Sequence, residues 1–189
     1  REQAAAAALI GAEVRHLGWP QRHYWNGCRV VSLDHRMRPT APRGVEGTPL
    51  VIAFRQPAAV RRMGDLLVAL RPSRVVTQIP TDLDPEHHAT ACLVWQAFAA
   101  RRRALGRATL QFWEPGSSCV GGLFDPGFDC IEDISEHYAT KRRLLNAHRS
   151  QMIRRRWKMV RDRARQWGRR LGVRYAEAFK TAHFPLPRP

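Results

Sequence analysis

Asp82, Asp84, Glu86, His87 and His88 place three carboxylates and two imidazoles within seven residues of the stretch "PTDLDPEHHATACLVWQAF" (Pro80 to Phe98). Side chains of these types at this density can hold a cation, move a proton, or simply open a helix. Neutral imidazole is the commonest metal ligand, and a positioned carboxylate can act as general acid or base. Asp84 followed by Pro85 has the composition of a helix start, with aspartate as N-cap and proline at the first helical position. Glu86 and His87 then occupy the next two positions. A helical side chain leans back toward the N-terminus, so His87 is predicted to project over the segment that precedes the helix. His88 points about 100° away around the helix axis and is read as structural. For Asp84 and Glu86 the plain alternative is a cap and a complement to the helix dipole.

Such a cluster needs elements to carry it. "RVVTQI", rich in β-branched residues, is predicted to be a buried central strand. The quoted stretch follows it through "PTDL", and a helix is predicted from Pro85 to Ala104. In an open parallel sheet, ligand sites lie just beyond the carboxyl ends of strands, which is where the cluster falls. Upstream, "REQAAAAALIGAEVRHLGWP" reads as a helix to Leu9, a stop at Gly11 and a short strand "EVRHLG". Gln21 to Pro49, punctuated by prolines and glycines, is predicted to be a long irregular loop that shapes specificity. In "PAAVRRMGDLLVALRPS", Val60, Met63, Leu67 and Leu70 share one helical face, Pro57 suits the first turn, and Pro72 ends the helix. "ATLQFWE" is predicted as a strand, "PGSSCVGGLFDPG" as a loop, and "FDCIEDIS" as a short strand leading into a basic helix. Gly168 and Gly172 are expected to interrupt helicity before "VRYAEAF" resumes order. Alternating helix and strand predicts an α/β fold: a Rossmann-like, mostly parallel sheet with helices on both faces. Residues 1–184 read as a single domain and 185–189 as a frayed tail.

The chain's 189 residues and 44% hydrophobic content suit one domain with a sizeable core. Its longest apolar run, "AAAAALIGA", is too short to span a bilayer. Cys28, Cys92, Cys119 and Cys130 form no Cys-x-x-Cys pair, which argues against a disulfide framework or a structural zinc site. Reduced thiols in a cytoplasm fit them better. The net charge is +16, and it concentrates in "KRRLLNAHRSQMIRRRWKMVRDRARQWGRR". The bland reading is a solvated amphipathic helix; the sharper alternative is an arginine-rich nucleic-acid-binding surface over Arg143–Arg170.

"DLDPEHHAT" resembles the second signature of the PIG-L/LmbE-like zinc-dependent deacetylases, His-Pro-Asp-His followed by Arg-Ala-Thr. "DISEHYATKRRLLNAHRSQM" is similar to that family's Asp-Ile…Lys…His-x-Ser-Gln helix, "YAEAF" to its closing Tyr-Ala-Glu-Ala-Phe, and "GAEVRHLGWP" to its approach to Leu-Gly-x-Pro. These matches come in the family's order and span almost the whole chain. The family's first signature, His-Pro-Asp-Asp-Glu, supplies two metal ligands and a general base, and it is absent. The resemblance therefore implies that this chain, which opens on Arg1, starts after the first strand and the first metal motif. Without that strand the chain is expected to be poorly stable and weak in zinc binding.

By position, the resemblance places the family's zinc-ligating histidine on His87. The family's other histidine, which stabilises or protonates the tetrahedral species, falls on Asp84, and its aspartate falls on Glu86. The implied activity is zinc-dependent removal of an acyl (acetyl) group from an N-acetylated amino sugar or related small amide. Asp84 is in tension with this, because a carboxylate near a cation favours its ionised form and would repel an oxyanion. Burial of Asp84, another acid, or altered chemistry would each resolve that tension. A non-catalytic member of the same fold is the runner-up. His148 in "AHRSQ" reads as a packing residue. Asp129, Glu132 and Asp133 offer a second acidic cluster; the plainer reading is that Asp133 or Ser135 caps the next helix.

Overall fold

The computed structural model describes residues 1–19, 23–25, 30–33, 39–40, 49–113, 127–150, 152 and 154–184. In chain order these form α1 (Glu2–Ala8), β1 (His23–Trp25), β2 (Val30–Leu33), β3 (Pro39–Thr40), α2 (Leu50–Ala53) and α3 (Pro57–Leu70). Then follow β4 (Arg74–Gln78), α4 (Pro85–Ala100), α5 (Arg102–Leu105), β5 (Thr109–Trp113), β6 (Cys130–Asp133), α6 (Tyr138–Ala147), α7 (Arg154–Leu171) and β7 (Ala176–Thr181). The fold is α/β, as predicted. The predicted loop within "PGSSCVGGLFDPG", the tail 185–189, Cys28 and Cys119 lie outside the described residues; Cys92 and Cys130 are free thiols.

The chain divides into two compact units, Gly18–Phe128 with Phe179–Pro189, and Arg1–Leu17 with Asp129–Ala178. In the first, β4 pairs parallel with β5 (Val75 opposite Leu110), and β5 pairs antiparallel with β7 (Phe112 opposite Lys180). α4 is buried on two sides. Val94, Ala97 and Phe98 meet Leu67 of α3 and Leu110 and Phe112 of β5, while Ala89 and Leu93 meet Leu50, Ala53 and Phe54. Phe98 and Leu93 are almost wholly buried, each contributing roughly 1.5–3 kcal/mol of burial. Gly64 lets α3 approach α4 closely: a Cβ there would stand 2.9 Å from Arg101 Cγ. An Arg101–Asp65 ion pair of 2.6 Å closes the same contact.

In the second unit Tyr138 and Tyr175 stack at a centroid distance of 3.7 Å and an interplanar angle of 7°. Ala164 of α7 and Ile134 pack against them. Ile134 N–H donates to the Tyr175 carbonyl (2.9 Å), and Lys141 pairs with Glu177. The Glu2 carboxylate accepts the Ser150 amide (2.9 Å) and hydroxyl (2.6 Å). These bonds, the hydroxyl first, lower the Glu2 carboxyl below its ordinary range.

Several expectations are corrected. The sheet is open, in the order β4–β5–β7–β6, and mixed instead of mostly parallel, because β7 runs antiparallel to β5. "RVVTQI" forms β4 but sits at the edge of the described sheet, with Val76 48% exposed. "EVRHLG" forms no strand. Between Gln21 and Pro49 the described backbone is a small antiparallel sheet, β1–β2–β3. The helix from Pro85 stops at Ala100, and the basic stretch is two helices, α6 and α7. Gly168 lies inside α7, where a Cβ would meet the Val173 carbonyl oxygen at 2.7 Å.

Candidate functional site

The carboxyl end of β4 and the first turn of α4 are tied together by four side chains. Asp84 is the N-cap of α4, and its Oδ1 accepts the amides of Glu86 (2.9 Å) and His87 (3.2 Å). Two of the helix's orphan N–H groups are thereby satisfied. Asp82, two residues earlier, is a buried carboxylate whose side chain is 0% exposed. Its Oδ1 accepts the Asp84 amide at 2.9 Å, an Asx turn that feeds the cap. Its Oδ2 lies 2.8 Å from His87 Nδ1. His88 Nδ1 lies 2.6 Å from the Pro80 carbonyl oxygen.

These contacts assign tautomers. A carboxylate and a carbonyl only accept, so each Nδ1 carries a proton, and in the neutral ring each Nε2 keeps the lone pair. The His88 ring also meets Phe54 edge to face at 5.8 Å, and its Nε2 accepts from the Cys92 thiol at 3.6 Å. Burial pushes the Cys92 thiol up, against a smaller downward pull from Arg55. His88 is therefore a packing histidine that fastens α4 to the Pro80 carbonyl. The His87 side chain is 41% exposed. A histidine whose Nδ1–H is held by a carboxylate, with Nε2 open, has the arrangement that prepares an imidazole for a metal.

Asp82 is the residue that sequence reasoning left without a role. Its signal was present in "DLDP": an aspartate two residues before an N-cap aspartate is the composition of an Asx turn followed by a helix start. Glu86 sits in the first turn, and its carbonyl accepts the Thr90 hydroxyl. Among the described residues no group of three histidine, cysteine or acidic side chains is gathered closely enough to hold a metal ion. His87 thus fits as one ligand, and the described residues do not complete a set of three around it.

The other sequence candidates lie in the second unit. His148 closes the C-terminal end of α6, its amide donating to the Leu145 carbonyl at 3.0 Å. Asp133 Oδ1 accepts the Ser135 amide (2.8 Å), and the Ser135 hydroxyl bridges the Tyr175 backbone. The N-cap of α6 is His137, with no side-chain cap bond, so neither Asp133 nor Ser135 caps that helix directly.

No protein family profile matches the chain, and no curated protein matches its sequence. Solved structures do match in fold. One is GalB, the 4-carboxy-2-hydroxymuconate hydratase from Pseudomonas putida (TM-score 0.63, 16% identity, 100% of this chain and 72% of that one). Another is the conserved protein TT1542 from Thermus thermophilus (TM-score 0.64, 22% identity, 100% and 76%). A third is the N,N'-diacetylchitobiose deacetylase from Pyrococcus horikoshii (TM-score 0.59, 15% identity, 96% and 61%). This chain shares their fold. It spans under two thirds of the deacetylase, and two of the three proteins are named as enzymes. Among the described residues no helix is long and apolar enough to cross a membrane.

Proposed function

We propose that the chain belongs to a zinc-dependent hydrolase that removes an acetyl or related acyl group from an N-acetylated amino sugar or similar small amide. The observation that carries this reading is the His87 imidazole, its Nδ1–H engaged by the buried Asp82 and its Nε2 directed away from that bond. The "DPEH" motif at a strand end and the fold likeness to a deacetylase support it.

Zinc, when bound, would polarise the amide carbonyl and acidify a water molecule. His87 would be one of its ligands through Nε2. Asp82 fixes that ring's tautomer and rotation. Asp84 commits Oδ1 to the helix amides, and its Oδ2 would relay a proton taken from the attacking water to the departing amine nitrogen. The remaining ligands and the general base would come from residues outside those described.

The test is zinc content and release of acetate from N-acetylglucosamine derivatives. Both are measured on the full-length gene product, beside its His87→Ala variant. Stoichiometric zinc and turnover that both fall with His87→Ala support the proposal. Unchanged zinc content in the variant overturns it. A second reading, altered chemistry on the same fold, draws on Asp84 in the acid position and on the likeness to a hydratase. Hydration of an unsaturated acid, with no amide cleavage, would favour it.

A further inference from the structure

In the unit that does not carry His87, a cavity of about 970 Å³ opens beside α7. Arg154, Lys158, Arg161 and Arg165 line it from one face of that helix, at spacings of three to four residues, and Arg142 of α6 joins them. Trp157, half-buried, and the stacked pair Tyr138 and Tyr175 complete the wall. Among the described residues no acidic side chain lines it. Asp162, on the same helix, pairs with Lys158 (2.7 Å) and Arg161 (3.2 Å), and so offsets part of that charge.

The shape and chemistry select a ligand class. A cavity of this volume suits one small molecule, whereas a single-strand binder needs a groove that tracks a backbone. Five cations call for several negative charges on that molecule, and arginine forks match phosphate oxygens two at a time. The aromatic wall supplies what a bare polyphosphate would not use. Trp157 offers a partly open indole on which a flat ring can stack, while Tyr138 and Tyr175 are already spent on each other. Arg165 is held over Tyr175, its guanidinium 6.0 Å from the ring centroid, which fixes one fork in advance.

We propose that this pocket binds a nucleoside polyphosphate, with the phosphates on the α7 cations and Arg142 and the base on Trp157. The proposal does not depend on the hydrolase reading, since it uses none of the same residues.

The test is titration of the 189-residue chain with ATP by calorimetry at fixed ionic strength, with inorganic tripolyphosphate, adenosine and a single-stranded oligonucleotide as separate arms. ATP is expected to saturate one site, with tripolyphosphate and adenosine each at least about tenfold weaker, the value of one well-made charge-assisted or stacking contact. Arg154→Gln, on an exposed side chain, is expected to weaken ATP about tenfold with an unchanged circular dichroism spectrum. Trp157→Leu is expected to weaken ATP while leaving tripolyphosphate unaltered; Arg142→Gln repeats the first test on another helix should Trp157→Leu fail to fold. Tripolyphosphate binding as tightly as ATP would overturn the proposal. So would ATP binding indifferent to Arg154→Gln and Arg142→Gln, or binding of the oligonucleotide alone.

Discussion

At the scale of single residues, the pair Asp82–His87 decides what the candidate site can do. The carboxylate accepts from Nδ1, so the neutral imidazole carries its proton there. Nitrogen-15 NMR is expected to report that tautomer for His87 in the native chain and a mixture in Asp82→Ala. The same substitution strands the Asp84 amide and the imidazole, at an expected cost of about 1–3 kcal/mol in denaturant unfolding. In a zinc-loaded protein it is also expected to weaken zinc about 10- to 100-fold. A variant that keeps the single tautomer would mean that Asp82 does not orient the ring. Asp84→His restores the residue type that the resemblance places at that position. It is expected to raise acetate release at least about tenfold while costing about 1 kcal/mol of stability through the lost cap. No gain in turnover would count against a deacetylase. Cys92, with its thiol pushed up by burial and donated to His88, is expected to alkylate slowly near pH ~8 until the chain is unfolded. The places of Asp84 and His87 at the start of α4 were legible in the sequence because cap grammar is local. The bond from Asp82 to His87 spans five residues, which is no helical spacing, and it arises only once the turn has closed.

At the scale of elements, local signals set where helices begin better than they set neighbours. Pro57 and Asp84–Pro85 open α3 and α4 where the sequence places them. The strand "RVVTQI" was also legible, but its central position was not. Branched side chains report burial of a face, whereas the number of paired neighbours is settled by distant chain. "EVRHLG" has strand-like composition and no partner to pair with among the described residues, so propensity alone did not make a strand. Gly168 looked like a breaker because glycine is a poor helix former, yet the absent Cβ is what allows the Val173 and Arg174 backbone to lie against α7. Gly168→Ala is therefore expected to destabilise by about 1–3 kcal/mol, read as a lower urea midpoint, despite the better helix propensity of alanine. Arg71 caps α3 in the left-handed region, φ 47°. Arg71→Gly is expected to stabilise by roughly 0.5–1 kcal/mol, the relief of that conformation less glycine's added chain entropy. A loss of stability would show that the arginine side chain contributes more than its backbone costs.

At the scale of the whole molecule, the net charge of +16 is the dominant global property. Like charges repel one another, and salt screens exposed ones over about 8 Å at physiological ionic strength. The melting temperature is therefore expected to rise by a few degrees between roughly 0.01 and 0.15 M sodium chloride. A flat dependence would mean that pairs such as Lys158–Asp162 already neutralise the field locally. The charge was fully legible in composition, but its arrangement around a cavity was not, since that requires α6 and α7 to be separate helices. One consequence concerns the order of events in folding. β4 meets β5 only by way of the crossover through α4 and α5, so the parallel pair closes a long loop before it gains any contact. The clamp of Asp82, Asp84, His87 and His88 holds the crossover helix to the end of β4 and is expected to shorten that search. Removing the cap with Asp84→Ala will then slow refolding more than it hastens unfolding, with most of the change in the refolding limb of a stopped-flow chevron.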